Sequence, residues 1–286
     1  PRSDIDIRAG RLGIDIYLLS DHRDVGYAYT WMRPPHEFYA YMAQSHFDGV
    51  DISKRYSLED GYLSIKLFAG YSHSAAVQSP VVLNAPNAGA TIVYDARNWR
   101  AKISYAFQSL NDYFDEVMKN LPIDASLSND HVHFTSIGGA YDDGVWLLQA
   151  EAAYMATDSL YIPDYTSAYL SIGRRFSNVT LFALYGFAHS FQKKANIPKS
   201  TIPSSQRQLS QYYLDAINSK NGTDEQSLSV GLRWDFYTNI AFKMQWSHFW
   251  LGTENGAINW DTPPTESTKP IPYNVNVWSV GMDFVF

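Results

Sequence analysis

Apolar and polar residues alternate strictly through the last thirteen residues of the chain, 274–286, which read NVNVWSVGMDFVF. One parity of this stretch is bulky and apolar, whereas the other is mostly small or polar and carries an acid, Asp283. A period of two predicts a β-strand with one apolar and one polar face. The bulky parity consists of Trp278, Val280, Met282, Phe284 and the terminal Phe286.

The same alternation recurs along the whole chain and predicts twelve strands. Most of them have the roughly 9 to 11 residues that a tilted strand needs to cross a bilayer. Their aromatic residues lie towards the strand ends and their charges fall on the polar parity, which is typical of a wall between lipid and water. We predict strands at residues 4–10, 48–56, 63–71, 89–97, 99–107, 130–141, 144–155, 166–176, 179–189, 228–236, 240–250 and 274–286.

The links between these strands are alternately short and long. Links near residues 58, 98, 143, 177 and 238 are only a few residues long. Short turns at one rim and long loops at the other are typical of an outer-membrane β-barrel, with the turns on the periplasmic side. The pattern therefore predicts one all-β, antiparallel transmembrane β-barrel domain over residues 1–286, with short helices at 110–120 and 204–218. The long links are predicted at 11–46, 72–88, 108–129, 156–165, 190–225 and 250–273.

The composition agrees with a barrel and argues against a nucleic-acid-binding protein. Apolar residues make up 45% of the chain, yet the mean hydropathy is -0.27, as expected when every second residue faces water. The 21 tyrosines and 8 tryptophans would suit interfacial girdles. A net charge of -7 without long runs of one sign excludes a general nucleic-acid footprint. A soluble, aromatic-rich carbohydrate-binding β protein remains an alternative.

With these features the chain resembles a Gram-negative outer-membrane porin. The closing strand with Met282, Phe284 and Phe286 resembles the assembly signal of that family, and the tyrosine-rich link contains RLGIDIYLLSDHRDVGYAYTWMRPPHEFY. The resemblance implies a sixteen-stranded barrel whose long pore loop follows the fifth strand. Here the long link at 11–46 follows the first strand, so we expect four further strands to precede Pro1 in the native protein.

The resemblance also implies a location and a set of partners. The protein is expected in the outer membrane of a Gram-negative bacterium, as a homotrimer that contacts outer-membrane lipid and lipopolysaccharide. During biogenesis it would meet the barrel-assembly machinery. Its function would be the passive diffusion of small polar or charged solutes through a water-filled channel, without a cofactor, a metal or a nucleic-acid partner.

Basic residues from many predicted strands fall on the inward parity. If link 11–46 folds into the pore, its Asp21, Asp24 and Glu37 would face this basic wall, and opposed charges across a constriction select polar and charged solutes. Alternatively, these charges only solvate a wide lumen. We expect Arg33 to pin the loop to the wall. The wall is predicted to consist of Arg8, Arg55, Lys66, Arg100, Lys102, Arg175, Arg233 and Lys243.

A barrel enzyme is a second alternative. Outer-membrane phospholipases are twelve-stranded barrels that use a serine and a histidine on the outward face, and the nearest candidates here are 72–74 (Ser-His-Ser) and His189 with Ser190. Neither is followed by the Asn-Gly-Arg of that family. His131 and His133 share a parity, but two imidazoles without a carboxylate or thiolate nearby are a weak metal signal. We therefore predict no catalytic residue and no metal site.

Overall fold

The computed structural model describes residues 4–40, 45–75, 82–110, 130–158, 163–191, 223–252 and 273–286. Twelve strands form one antiparallel sheet in which each strand pairs with the next along the chain. Within these residues β1 pairs only with β2 and β12 only with β11, so the sheet is open. The strands are β1 (Ile5–Gly13), β2 (His46–Leu58), β3 (Gly61–Ala75), β4 (Val82–Ala96), β5 (Trp99–Leu110), β6 (Asp130–Asp142), β7 (Trp146–Thr157), β8 (Asp164–Phe176), β9 (Val179–Phe191), β10 (Asp224–Tyr237), β11 (Ile240–Leu251) and β12 (Tyr273–Phe284).

The two faces of the sheet differ as the alternation predicts. One face, the apolar face, leaves large side chains such as Leu67, Ile103 and Leu170 exposed. The other face, the covered face, carries buried small polar residues in register across the strands, for example Ser104 of β5 opposite Ser136 of β6. The prediction of an all-β, antiparallel, twelve-stranded architecture is confirmed. No helix among the described residues is long and apolar enough to cross a membrane.

The turn between β6 and β7 shows why the short links close tightly. Gly144 has a φ of 88°, a conformation that other residues rarely adopt. Its backbone N–H donates to the carboxylate of Asp142 at 2.9 Å, and the N–H groups of Val145 and Trp146 donate to Asp143 at 2.8 and 2.7 Å. Aspartates that bond the backbone two or three residues ahead favour such turns. The hairpin predicted here is therefore confirmed.

The predicted loop at 72–88 is partly wrong, because β3 continues to Ala75 and β4 begins at Val82. The prolines of this stretch suggested a loop, yet Pro86 lies within β4 opposite Tyr71. Pairing between β4 and β5 starts only at Asn87, so β4 makes no backbone hydrogen bonds to β5 at Pro86. Proline lacks a backbone N–H and is therefore tolerated at this position. The helices predicted at 110–120 and 204–218 lie outside the described residues, apart from Leu110, which ends β5.

The long link after β1 folds back onto the covered face, as predicted. Residues 14–40, which we call the inner segment, contain a short 3-10 helix (Gly26–Ala28) and α1 (His36–Tyr39). Aromatic side chains of this segment pack against aromatic residues of the sheet, so its backbone lies against strand side chains rather than in solvent. The shared core includes Ile16, Tyr17, Leu19, Trp31, Phe38 and Tyr39 of the segment and Phe47, Phe68, Phe134, Tyr165, Tyr169 and Phe182 of the sheet.

Candidate functional site

Two lysines of the covered face hold the start of the inner segment. The ammonium groups of Lys66 on β3 and Lys102 on β5 both donate to the carboxylate of Asp15, which is 7% exposed. Lys102 also donates to the carbonyl oxygen of Tyr17 at 2.6 Å. Burial raises the pKa of Asp15, but the two lysines outweigh it and hold that pKa below the ordinary value. We call this arrangement the Asp15 clamp.

A second group of cations holds the middle of the segment by its main chain. Lys243 of β11 donates to the carbonyl oxygens of Gly26 at 2.7 Å, Tyr29 at 2.6 Å and Trp31 at 2.9 Å. Arg233 of β10 donates to the carbonyl oxygen of Tyr27 at 2.7 Å. The same two cations lie over the rings of Tyr29 and Tyr27, respectively. We call this arrangement the carbonyl clamp.

Glu151 of β7 anchors both ends of the segment at once. Its buried carboxylate accepts hydrogen bonds from the N–H of Leu18 at 2.8 Å and from the hydroxyl of Tyr39. The hydroxyl of Tyr169 on β8 donates to the same carboxylate at 2.6 Å. A carboxylate that accepts several hydrogen bonds can remain buried without a large cost. Residues 18 and 39 are thereby tied to one side chain of the sheet.

The helix α1 carries an acid and a histidine against β9 and β10. Glu37 is 1% exposed and fits beside Gly186, where a Cβ atom would lie 2.7 Å from its carboxylate. The His36 ring lies 3.2 Å from the carboxylate of Glu225. Burial raises the pKa of Glu37, which a hydrogen bond from Ser227 opposes only in part. Burial lowers the pKa of His36, but Glu225 outweighs it and the net shift is upward.

The raised pKa of Glu37 makes stability depend on pH in a defined direction. When the pKa of a carboxyl group is higher in the folded than in the unfolded protein, its protonated form stabilises the fold. This contribution is complete at pH values below the pKa in the unfolded protein, about 4.3 for glutamate. It is lost as the pH rises through the pKa in the folded protein. The variant Glu37→Gln cannot ionise. We therefore expect its advantage in unfolding free energy over the wild type to grow as the pH rises from about 4.3. Denaturant unfolding in micelles at a series of pH values measures this difference.

The exposed Asp24 supplies the control for that experiment. Asp24→Asn removes a carboxylate from the same segment, but its side chain is 91% exposed. Its unfolding free energy should follow the wild type at every pH. A Glu37→Gln advantage that stays constant or shrinks with rising pH would contradict the assignment.

Two large cavities formed by the described residues lie on the covered face beside the inner segment. The first, of about 440 Å³, lies along β1 to β5, and we call it the arginine cavity. Its walls include Arg8, Arg55, Lys66 and Arg100 of the strands and Asp15 and Asp21 of the segment. The second, of about 490 Å³, lies along β6 to β10 and is lined by Tyr27, Tyr29 and Trp31 of the segment and by Gln149, Arg175 and Arg233 of the strands.

The eight predicted wall residues all lie on the covered face, but they divide into two groups. Lys66, Lys102, Arg233 and Lys243 bind the inner segment in the two clamps. The other four border the cavities. Arg8 pairs with Asp51 at 2.5 Å and Arg175 with Asp142 at 2.5 Å, whereas Arg100 lies 3.6 Å from Asp95 and Arg55 is exposed in the arginine cavity.

The acids predicted to face the basic wall behave differently from one another. Asp21 lies 3.9 Å from the wall residue Arg100. Asp24 points to solvent. The prediction for Glu37 is wrong, because α1 turns its side chain into the core against β9 and β10. The acid that faces two wall lysines is Asp15, and its position within the apolar run Ile14 to Leu19 was the available signal, since a charge in such a run is rarely buried without a partner.

Most of the remaining predicted residues lie at the surface. Arg33 is exposed, so the segment is pinned by the wall cations and not by Arg33. Met282, Phe284 and Phe286 are exposed at the apolar end of the chain. For the enzyme alternative, His189 is exposed, whereas Ser190 lies on the opposite face of β9, where its hydroxyl is bonded to Thr223. The side chains at 73–75 lie outside the described residues.

Comparison with known proteins identifies the fold. No model of a protein family and no curated sequence matches the chain. Among solved structures, the outer-membrane expressed OmpT of Vibrio cholerae matches with a TM-score of 0.55 at 10% identity, over 98% of this chain and 76% of that one. The in-vitro folded OmpT, described as an outer membrane protein of the same organism, gives the same TM-score and identity over 99% and 76%.

The chain has the fold of an outer-membrane β-barrel protein. A further match, OccAB4 of Acinetobacter baumannii, has a TM-score of 0.46 at 12% identity, over 98% of this chain and 69% of that one. The argument from similarity rests on the two OmpT structures. The outer-membrane location predicted from the sequence agrees with this fold and with the exposed apolar face.

Proposed function

We propose that the protein forms a water-filled channel through the outer membrane for small polar or charged solutes, and that these pass through the arginine cavity. The observation that carries the proposal is the polar cavity that remains once the inner segment is clamped to the covered face. Its lining is dominated by charged side chains, while the opposite face of the same strands is apolar. A barrel wall of this kind separates lipid from water.

The charges of the arginine cavity are arranged across a gap. Strand residues Arg8, Arg55 and Arg100 supply positive charge, and the segment supplies Asp21. Opposed charges produce a transverse field that orders the passage of charged solutes. Two lysines neutralise the Asp15 carboxylate, and Arg100 lies near both Asp95 and Asp21. The positive charge exposed in the cavity is therefore mainly that of Arg55. We infer that solutes with a negative group are favoured within the cavity.

In this proposal the protein is a channel and not an enzyme, and it has the assembly expected from the resemblance to porins. The placement of His189 and Ser190 on opposite faces of one strand supports this part of the proposal, because a nucleophile and its base must lie within hydrogen-bond reach of each other. The homotrimer and the contacts with outer-membrane lipid and lipopolysaccharide belong to the proposal on the strength of that resemblance.

Charge reversal at Arg55 tests the proposed path. In planar bilayers we expect stepwise, ohmic conductance from the wild type. A unit charge at about 4 Å is worth about 1 kcal/mol even in water. We therefore expect Arg55→Glu to lower the ratio of anion to cation permeability by roughly fivefold, measured as a shift of reversal potential in a salt gradient.

Arg174→Glu is the matched control for that measurement. It changes the net charge by the same amount, but Arg174 lies over the rings of Trp146 and Phe176, away from the cavity. Its permeability ratio should equal that of the wild type. Folded, inserted protein that never conducts would refute the channel, and equal shifts in both variants would refute the path.

A further inference from the structure

Five histidines lie on the apolar face at the rim that carries the long links. We call them the histidine belt: His46 at the start of β2, His131 and His133 near the start of β6, His189 near the end of β9 and His248 near the end of β11. They are the strand histidines whose side chains the structure describes. The remaining two described histidines, His22 and His36, belong to the inner segment.

Ring contacts and hydrogen bonds hold the belt in place. Phe107 lies between His131 and His133, with ring centroids 5.2 and 5.3 Å away. The His248 ring lies 4.6 Å from that of Trp250. His133 is hydrogen bonded to the hydroxyl of Tyr105 at 2.8 Å and His248 to the side chain of Asn276 at 2.8 Å.

The belt replaces part of the aromatic girdle that barrels place at a membrane interface. Like tyrosine and tryptophan, histidine offers a flat apolar body and a polar tip. Unlike them, it changes charge between pH 5 and 8. A girdle made partly of imidazole therefore has an electrostatic potential that depends on pH.

Because carboxylates lie beside two of the histidines, the net charge of the belt and its neighbours changes from negative to positive when the imidazoles are protonated. His131 lies 3.5 Å from Asp158 and His189 lies 3.6 Å from Asp224. With neutral imidazoles these carboxylates leave the described part of the rim negative, and protonation of the rings neutralises them and adds the charges of His46, His133 and His248. Among the residues that the structure describes, the other charged groups at this rim of the face are the salt-bridged Arg11 and Asp48 beside His46, and Asp164, which accepts from the N–H of Thr157.

We propose that the histidine belt, in its protonated form, binds the phosphate groups of the phosphorylated glycolipid that forms the outer leaflet. The choice of leaflet rests on the membrane orientation within the proposed function, in which the long links face outward. His131 and His133 are two positions apart on one strand, about 6.6 to 6.8 Å along it. The two rings therefore present two cations side by side to the headgroup region.

The strength of the effect follows from the number of cations. A basic residue beside an anionic membrane surface is worth about 1 kcal/mol, or roughly fivefold in affinity. Asp158 and Asp224 oppose two of the imidazolium groups, so the net gain is smaller than the full sum. We expect binding of diphosphorylated lipid A to be about tenfold tighter at pH 5.5 than at pH 7.5.

The experiment measures lipid A binding to the folded protein in zwitterionic micelles at these two pH values. The combined variant in which His46, His131, His133, His189 and His248 are all replaced by Gln should bind at pH 5.5 as weakly as the wild type binds at pH 7.5. The corresponding five-arginine variant should bind tightly at both. His22→Gln should keep the pH dependence of the wild type, because His22 lies in the inner segment.

Three results would overturn the proposal. They are equal binding by the wild type at both pH values, a pH dependence that persists in the five-glutamine variant, and equal binding of phosphatidylglycerol at matched charge. Single-channel conductance of the five-glutamine variant should equal that of the wild type. This readout separates the two proposals, since a channel that conducts normally can still lack the lipid site.

Discussion

Leu67→Lys should prevent most of the protein from inserting into lipid vesicles, whereas Ser64→Lys on the same strand should insert normally. Leu67 lies on the apolar face with 53% of its surface exposed, and Ser64 lines the arginine cavity. A lysine near the bilayer midplane on a lipid-facing position costs about 2 to 4 kcal/mol. The folded fraction after refolding into vesicles, measured by protease resistance, reports the difference.

The same pair of variants tests the assignment of the two faces. Ser64→Lys adds a cation to the cavity, so it should raise the preference for anions instead of harming insertion. Lysine at Ser229 or Gln245 is a poorer control, because both residues are buried beneath the inner segment and Gln245 accepts a hydrogen bond from the N–H of Met32. If Leu67→Lys and Ser64→Lys inserted equally well, the face that meets lipid would be wrongly assigned.

Lys243→Met should destabilise the protein by about 3 to 5 kcal/mol, the range for removing one partner of a buried ion pair. Lys243 is fully buried, and its ammonium group serves three carbonyl oxygens of the inner segment and Asp283 at 2.9 Å. Methionine keeps most of the volume but leaves those acceptors without their donor. We expect a lower denaturant midpoint in micelles and, in bilayers, a larger and noisier current as the segment loosens.

Arg33→Met is the matched control, because it removes a cation from the inner segment itself. Arg33 is exposed, and surface substitutions of this kind usually change stability by less than about 0.5 kcal/mol. Its midpoint and current noise should remain those of the wild type. If Lys243→Met behaved like Arg33→Met, the carbonyl clamp would not hold the segment.

The strands could be predicted from the sequence because the residues of each strand alternate between an apolar and a polar environment. Leu67 and Lys66 are neighbours in the chain and meet opposite faces, so the alternation can be read without knowing any partner strand. The ends of the strands could be predicted less well. Pro86 suggested a loop, but a strand tolerates proline where the neighbouring strand does not pair with it. Whether β5 pairs with β4 at Pro86 is a property of β5 and cannot be seen in the sequence around Pro86.

The sequence predicted which residues lie on the covered face better than it predicted the contacts that those residues make with the inner segment. The parity assigned all eight cations to that face, but it could not show that Lys102 meets Asp15 or that Lys243 meets the main chain near Trp31. Those contacts join residues 87 and 212 positions apart and depend on the path of the inner segment. Glu37 was misassigned for the same reason, since the direction of its side chain is set by the one turn of α1.

The two clamps also impose an order on assembly. The Asp15 clamp needs only β3 and β5, whose lysines follow Asp15 by 51 and 87 residues. The carbonyl clamp needs β10 and β11, because Arg233 follows Tyr27 by 206 residues and Lys243 follows Trp31 by 212. In a sheet whose strands join one after another, the start of the segment can be held long before its middle. The inner segment is therefore held along its whole length only when the last hairpins are in place.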